Sequence, residues 1–177
     1  MYLRNCWYVA GWSKDFDRVL KAEKFLNENI VIYRKKDGSP AALENACPHR
    51  KLPLSKGTLA DDNIICAYHG LTFNSEGQCT DSPTQRGMTP RRAVVKSYPV
   101  VDRYRLLWIW MGDPKLADPE LIFPIDNFDN PNWGCTDGGV LGSKCKYLLD
   151  CVKLCDPSHV AWVHETSFAR AGSGDQA

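Results

Sequence analysis

The chain has 177 residues, 44% of them hydrophobic, with 22 Lys and Arg against 21 Asp and Glu and a formal net charge of +1. That length buries a core without disulfide staples, and the balanced charge carries no footprint of a nucleic-acid or anionic-membrane partner. No apolar run reaches the length of a bilayer span, and the opening "MYLRNCWYVAGW" has neither the apolar core nor the cleavage site of an export signal. A cytoplasmic protein is expected, its eight cysteines serving as thiols or metal ligands rather than a disulfide framework.

From Phe25 to Cys79 the chain reads as short β-type runs separated by turn residues. "IVIYR", the turn "KKDGSP" and "AALEN" predict a hairpin, because Asp37-Gly38 tolerates the positive φ of a tight turn. "IICAYHGLTF" and "NSEGQC" predict a second, with Gly77 in its turn, and "AVVKSYPVV" and "RLLWIWMG" supply further strands. Trp7, Tyr8, Trp12, Trp108 and Trp110 read as β-core aromatics. The region up to about Gly112 is therefore expected to be all-β, a small sandwich or barrel.

Asp113 to Gly134 carries four prolines among many Asp and Asn residues and reads as a linker. In "CKYLLDCVKLC" periodicity leaves helix and strand both open, and Cys151 and Cys155 read as buried small hydrophobes. In "DPSHVAWVHETSF" Asp156 is a good N-cap and Pro157 suits the first helical position, which predicts a helix from Pro157 to about Glu165. The last residues, "AGSGDQA", read as a frayed end.

Cys47-Pro48-His49 and Cys66-Ala67-Tyr68-His69 are separated by sixteen residues. Two thiolates and two imidazoles suit a tetrahedral zinc or a Rieske [2Fe-2S] centre, in which two cysteines hold one iron and two histidines the other. Finger-type zinc sites pair like with like along the sequence. Mixed pairs instead let two loops each give one Cys to the first iron and one His to the second. Pro48 stiffens the first loop, Gly70 lets the backbone approach the metal where a Cβ would clash, and Arg50 is expected to anchor the loop. Lys51, Lys56, Arg86, Arg91 and Arg92 read as a scattered solvated surface, or alternatively as a docking face for an acidic reductase.

At "CPHR", "PLSKG", "CAYHGLTF" and "YPVVDRYRLLWIWMGDPKLADP" the chain resembles the N-terminal portion of Rieske-type non-haem iron oxygenases, especially the vanillate and dicamba O-demethylase branch. The likeness runs from "NCWYVAGW" to "HVAWVHETSF". It implies the oxygenase (alpha) component of a monooxygenase or demethylase. Residues 1–117 would form a mainly β Rieske domain, an antiparallel β-sandwich with a cluster-binding subdomain holding [2Fe-2S] through Cys47, His49, Cys66 and His69. Residues 118–177 would be a linker and the truncated start of an α+β catalytic domain with mononuclear Fe(II). The resemblance also implies a flavin reductase or ferredoxin as electron donor, O2 and a small aromatic substrate, and a homo-oligomer, trimeric in the family. At Arg105 relatives carry Gly, so a turn of different build is expected here. Leu52 and Leu71 stand where high-potential respiratory centres add a disulfide cysteine and a Ser hydroxyl. A potential near the low end of roughly −150 to +300 mV is expected.

His159 and His164 lie five apart, about 140° around an ideal helix, so both reach one metal only if the helix bends or ends near His164. Spacing alone leaves a ligand pair and a capped amphipathic helix open. The resemblance implies a D-x2-H-x4-H motif in which His159 and His164 bind mononuclear iron. Asp156 would then relay electrons from His69 of a neighbouring subunit to His159. The family's third ligand is a carboxylate far downstream, whereas this chain ends thirteen residues after His164, with Asp175 too close to serve. The chain is thus expected to be a fragment or truncation of such an oxygenase or, alternatively, a Rieske electron-transfer protein without its own catalytic iron.

Overall fold

Ile30 to Tyr33 form an unbroken apolar run, and because successive side chains of a strand point to opposite faces, such a strand must be buried on both. The computed structural model describes residues 2–85, 88–89, 92–125, 127–128, 130–136, 138–139 and 142–164. They fall into two compact units, Met1–Cys135 and Thr136–Ala177.

The first unit holds strands β1 (Trp7–Trp12), β2 (Lys21–Phe25), β3 (Glu28–Arg34), β4 (Pro40–Glu44), β5 (Thr58–Ala60), β6 (Asn63–Ile65), β7 (Thr72–Phe73), β8 (Cys79–Asp81), β9 (Ser97–Tyr98), β10 (Val100–Arg103) and β11 (Leu106–Trp110). They form three antiparallel sheets, ordered β1-β11-β10, β2-β3-β4-β9 and β5-β6-β7-β8. The mainly β architecture expected from the sequence is thus what the chain adopts.

The sheet containing β3 lies between two cores. Ile30, Ile32 and Ala42 pack with Leu107, Ile109 and Met111 of the β1-β11-β10 sheet, which closes the sandwich. Val31, Tyr33 and Leu43 pack with Ile64 and Phe73 of the β5-β8 sheet and with Cys66 just after β6. Arg34 ties the sandwich sheets at the end of β3: its guanidinium donates to both carboxylate oxygens of Asp102, at 2.6 and 3.0 Å, and to the Phe16, Gly38 and Ser13 carbonyls.

Three strand expectations need refinement. "IICAYHGLTF" is not one strand, because the stretch Cys66–Leu71 leaves the sheet between β6 and β7. "AVVKSYPVV" is divided at Pro99, which has no N–H for a ladder. The β10–β11 turn is not rebuilt around Arg105: Tyr104 and Arg105 both take positive φ, 57° each, as a two-residue type I′ hairpin requires, so Arg105 adopts the conformation a glycine would.

The proline-rich stretch after Gly112 forms two short 3-10 turns, Pro114–Leu116 and Pro119–Leu121, capped by the Asp113 and Asp118 side chains. The Asp118 carbonyl accepts from Trp7 Nε1 at 2.8 Å, and Ile122 is buried. In the second unit "CKYLLDCVKLC" resolves as helix α1 (Tyr147–Cys155), and a 3-10 turn at Pro157–His159 leads into α2 (Val160–Val163). Glu165 and "AGSGDQA" lie outside the described residues. Cys151 and Cys155 are exposed rather than buried, since among the described residues α1 buries no side chain. No helix among the described residues is long and apolar enough to cross a membrane.

Glu28 begins β3 and accepts from Lys96 Nζ at 2.8 Å, Tyr98 Oη at 2.6 Å and the Arg4 guanidinium. Burial alone would raise its carboxyl, but these donors overcome it and bring the group from 4.5 down to about 2. A depressed carboxyl contributes stability that is full above pH 4.5 and is lost as pH falls towards 2. Glu28→Gln is expected to lower unfolding free energy by about 1 kcal/mol at pH 7, with the deficit shrinking to nothing towards pH 2. Denaturant titrations of both proteins across that range read this directly.

Candidate metal centre

The two Cys/His stretches fold into loops built alike. In Cys47–Leu52 the Cys47 N–H donates to the Leu52 carbonyl at 2.8 Å and the Lys51 N–H to the Cys47 carbonyl at 2.8 Å. In Cys66–Leu71 the Cys66 N–H donates to the Leu71 carbonyl at 2.9 Å and the Gly70 N–H to the Cys66 carbonyl at 3.0 Å. The fifth residue of each is left-handed, Lys51 at φ 59° and Gly70 at φ 74°. Sequence reasoning missed this repeat because only one loop has glycine there. The shared signal is a Cys and a Leu five apart, in "CPHRKL" and "CAYHGL".

Closing each loop over its own cysteine turns the sulfur inward. Cys47 and Cys66 are 2% and 3% exposed, in a core with Leu54, Ile64 and Phe73. The Cys66 thiol neighbours that of Cys47, and the backbone at His49 and Arg50 favours the Cys47 thiolate. The imidazoles sit further out: His49 is exposed, His69 half-buried, and their ring centroids are 4.8 Å apart. The Tyr68 ring lies 4.1 Å from that of His69, with the exposed Arg50 guanidinium 6.0 Å from its centre.

Burial pushes the Cys47 thiol up, and the neighbouring Cys66 adds to the shift. Without a compensating cation the Cys47 thiol keeps its proton; a metal displaces it and stabilises the thiolate. His69 Nδ1 is buried with no hydrogen-bond partner, although a buried ring nitrogen normally has one. It borders a cavity of about 530 Å³ that His49, Leu71 and Ser82 also line. Among the described residues no three His, Cys, Asp or Glu side chains gather as a single-ion site requires. The donors pair by type instead, thiol with thiol and ring with ring, which is how ligands divide between the two irons of a Rieske centre. The residues present therefore fit a [2Fe-2S] group.

Gly70 also shapes its loop. Its positive φ closes the second loop, and a Cβ there would meet the Pro83 ring at 3.1 Å. Lys51, Lys56 and Arg92 are exposed, whereas Arg86 and Arg91 lie outside the described residues.

In the second unit the Asp156 carboxylate accepts the Ser158 N–H at 3.0 Å and is held below the usual carboxylate range by the Ser158 side chain first and by that N–H second. His159 Nδ1 lies 2.7 Å from the Asp156 carbonyl. A carbonyl only accepts, so Nδ1 carries the proton and Nε2 is the ring's acceptor nitrogen. The tight 3-10 turn and the helix end at Val163 bring His159 and His164 to a ring separation of 5.7 Å, despite their unfavourable angle on an ideal helix. The Asp156 carboxylate is engaged with Ser158, while its carbonyl meets His159. Asp175 lies outside the described residues.

Residues 6–99 match the family model of the Rieske [2Fe-2S] domain. The chain is 44% identical over 170 residues to a putative toluene-4-sulfonate monooxygenase system iron-sulfur subunit of Comamonas testosteroni, covering 95% of this chain and 48% of the relative. It is 39% identical over 173 residues to the oxygenase component of dicamba O-demethylase from Stenotrophomonas maltophilia, covering 94% and 49%. The crystal structure of dicamba monooxygenase bound to dicamba superposes with a TM-score of 0.86 at 40% identity, covering 93% of this chain and 49% of that one. A second structure of dicamba monooxygenase, with non-haem iron and dicamba, matches 73% of this chain and 40% of that one, at a TM-score of 0.70 and 42% identity. The chain spans about half the length of the curated relatives it matches.

Gly70→Ala is expected to destabilise the first unit by about 1–2 kcal/mol through left-handed strain, plus the contact with Pro83. Gly38, also left-handed at φ 82° but with nothing within 4 Å, isolates the backbone part. Chemical denaturation should show a larger loss for Gly70→Ala than for Gly38→Ala; equal losses would contradict the packing of Pro83 on the second loop.

Proposed function

This chain belongs to the Rieske [2Fe-2S] domain family, and on that premise we propose that Cys47, His49, Cys66 and His69 hold its cluster in the oxygenase component of a Rieske non-haem iron monooxygenase or demethylase. The observation that carries the reading is the ordered layering of the site, with paired thiols in the core and paired imidazoles outside them on two matched loops. Bound there, the cluster supplies one-electron transfer.

The protein's own groups set the conditions for that transfer. Cys47 and Cys66 anchor the site in apolar surroundings that exclude water, while the backbone at His49 and Arg50 offsets charge on the Cys47 sulfur. His49 and His69 form the edge nearest solvent; they would hold one iron of the cluster there, within reach of a flavin reductase or ferredoxin donor. Residues 1–117 are assigned to the Rieske domain and 118–177 to the linker and the opening of the catalytic domain. In that second part His159 and His164 are two ligands of mononuclear Fe(II). Two imidazoles and one carboxylate form a facial triad with positions left open for O2, and the remaining carboxylate is assigned to the part of the relatives' length not represented here. Asp156 is the link between His159 and His69 of a neighbouring copy in a homo-oligomer, and the substrate is a small aromatic molecule. The setting is the cytoplasm, where thiols stay reduced.

The alternative is an electron carrier without its own catalytic iron. Iron and acid-labile sulfide analysis after anaerobic purification decides between them. Two irons and two sulfides are expected in the cluster, both lost in Cys47→Ser. A further iron, lost selectively in His159→Ala, marks the oxygenase, and two irons per two sulfides alone mark a carrier or a fragment unable to hold mononuclear iron. Zinc without sulfide would overturn both.

A further inference from the structure

Ser82 is 0% exposed, and its hydroxyl has no hydrogen-bond partner. Such a group is costly to bury unless something in the working protein satisfies it. Its position is well determined. Pairing of β7 with β8 runs to Asp81, the Ser82 N–H donates to Asp81 Oδ1 at 2.8 Å, and Pro83 packs beside Gly70 of the second ligand loop. This places Ser82 on the wall of the cavity that His49, His69 and Leu71 line. The other orphaned buried atom, His69 Nδ1, borders the same cavity. One orphan is a metal ligand by type, whereas a serine hydroxyl is a hydrogen-bond donor that needs an acceptor. An iron-sulfur cluster brings sulfur acceptors whose negative charge increases on reduction.

We propose that the Ser82 hydroxyl donates a hydrogen bond to a sulfur of the cluster and raises its reduction potential. The proposal rests on the cluster assignment above and assigns Ser82 a positioning and tuning role, outside the ligand set. Leu52 and Leu71, within the ligand loops, have no side-chain donor to offer. The donor comes instead from the segment after β8, sixteen residues beyond Cys66, where no spacing argument would look. A bond to the more negative reduced state favours reduction, so its loss should make the cluster harder to reduce.

The test is a potentiometric titration of full-chain wild type, Ser82→Ala and Ser82→Thr, followed by EPR, with iron and sulfide measured on each sample. Ser82→Ala is expected to keep its iron and sulfide while its reduction equilibrium falls about tenfold, which for one electron is about 59 mV. Ser82→Thr, which keeps the hydroxyl, is expected to stay near the wild-type potential. If Ser82→Ala holds no cluster, Ser82→Cys decides: it retains a weak donor of similar size and should lie below wild type. A loaded variant without the hydroxyl but with the wild-type potential would overturn the proposal. A wild type without sulfide or a Rieske EPR signal would overturn the cluster assignment instead.

Discussion

Ile30 and Ile32 on one side of β3, and Val31 and Tyr33 on the other, are all wholly buried, so a single strand closes both cores of the first unit. A register slip of one residue would exchange the two faces and misfit both at once. The Tyr33 hydroxyl, on the face towards the metal centre, donates to the Asp62 carbonyl at 2.9 Å, in the turn that leads into β6 and the second ligand loop. Beyond β4, the buried Asn45 side chain bonds Ser55 through both its oxygen and its nitrogen, at 2.8 and 2.9 Å, and so brackets the first ligand loop. Both loops are thus held from below by one sheet. Their separation follows from backbone pairing and core packing before any metal is bound.

That support explains the division of the site into layers. Each loop reverses within six residues around its own cysteine, so the sulfurs point down into the β3-backed core and the imidazoles project towards solvent. Electron transfer benefits from this arrangement. Thiolates need a dry, apolar seat to resist exchange with water, while the transferring edge has to reach a partner. Burial that disfavours a bare Cys47 thiolate also makes metal binding the way that thiol becomes ionised.

The four candidate ligands stood out in the sequence because their chemistry is rare and their mixed pairing is informative, and the hairpin around Asp37-Gly38 because turn chemistry is local. The Asp156 cap and the helix beginning at Pro157 were legible for the same reason, and the cap forms as read. What escaped depends on contacts distant in sequence. The matched backbone of the two ligand loops was hidden because Lys51 takes the conformation that Gly70 takes. Arg105 likewise adopts the turn geometry of a glycine, held by the β10–β11 ladder on either side. Ser82 and Pro83 reach the site only through the β7–β8 pairing, and the exposure of Cys151 and Cys155 depends on what α1 packs against rather than on their residue type.

The central claim is that two histidines and two cysteines from these loops share one iron-sulfur cluster, the histidines on one iron. Pulsed EPR of the reduced full chain counts the nitrogens bound to that iron. Two strongly coupled histidine nitrogens are expected, falling to one in either His49→Cys or His69→Cys. A reduced iron-sulfur signal with no coupled nitrogen, or one unchanged by both substitutions, would contradict it.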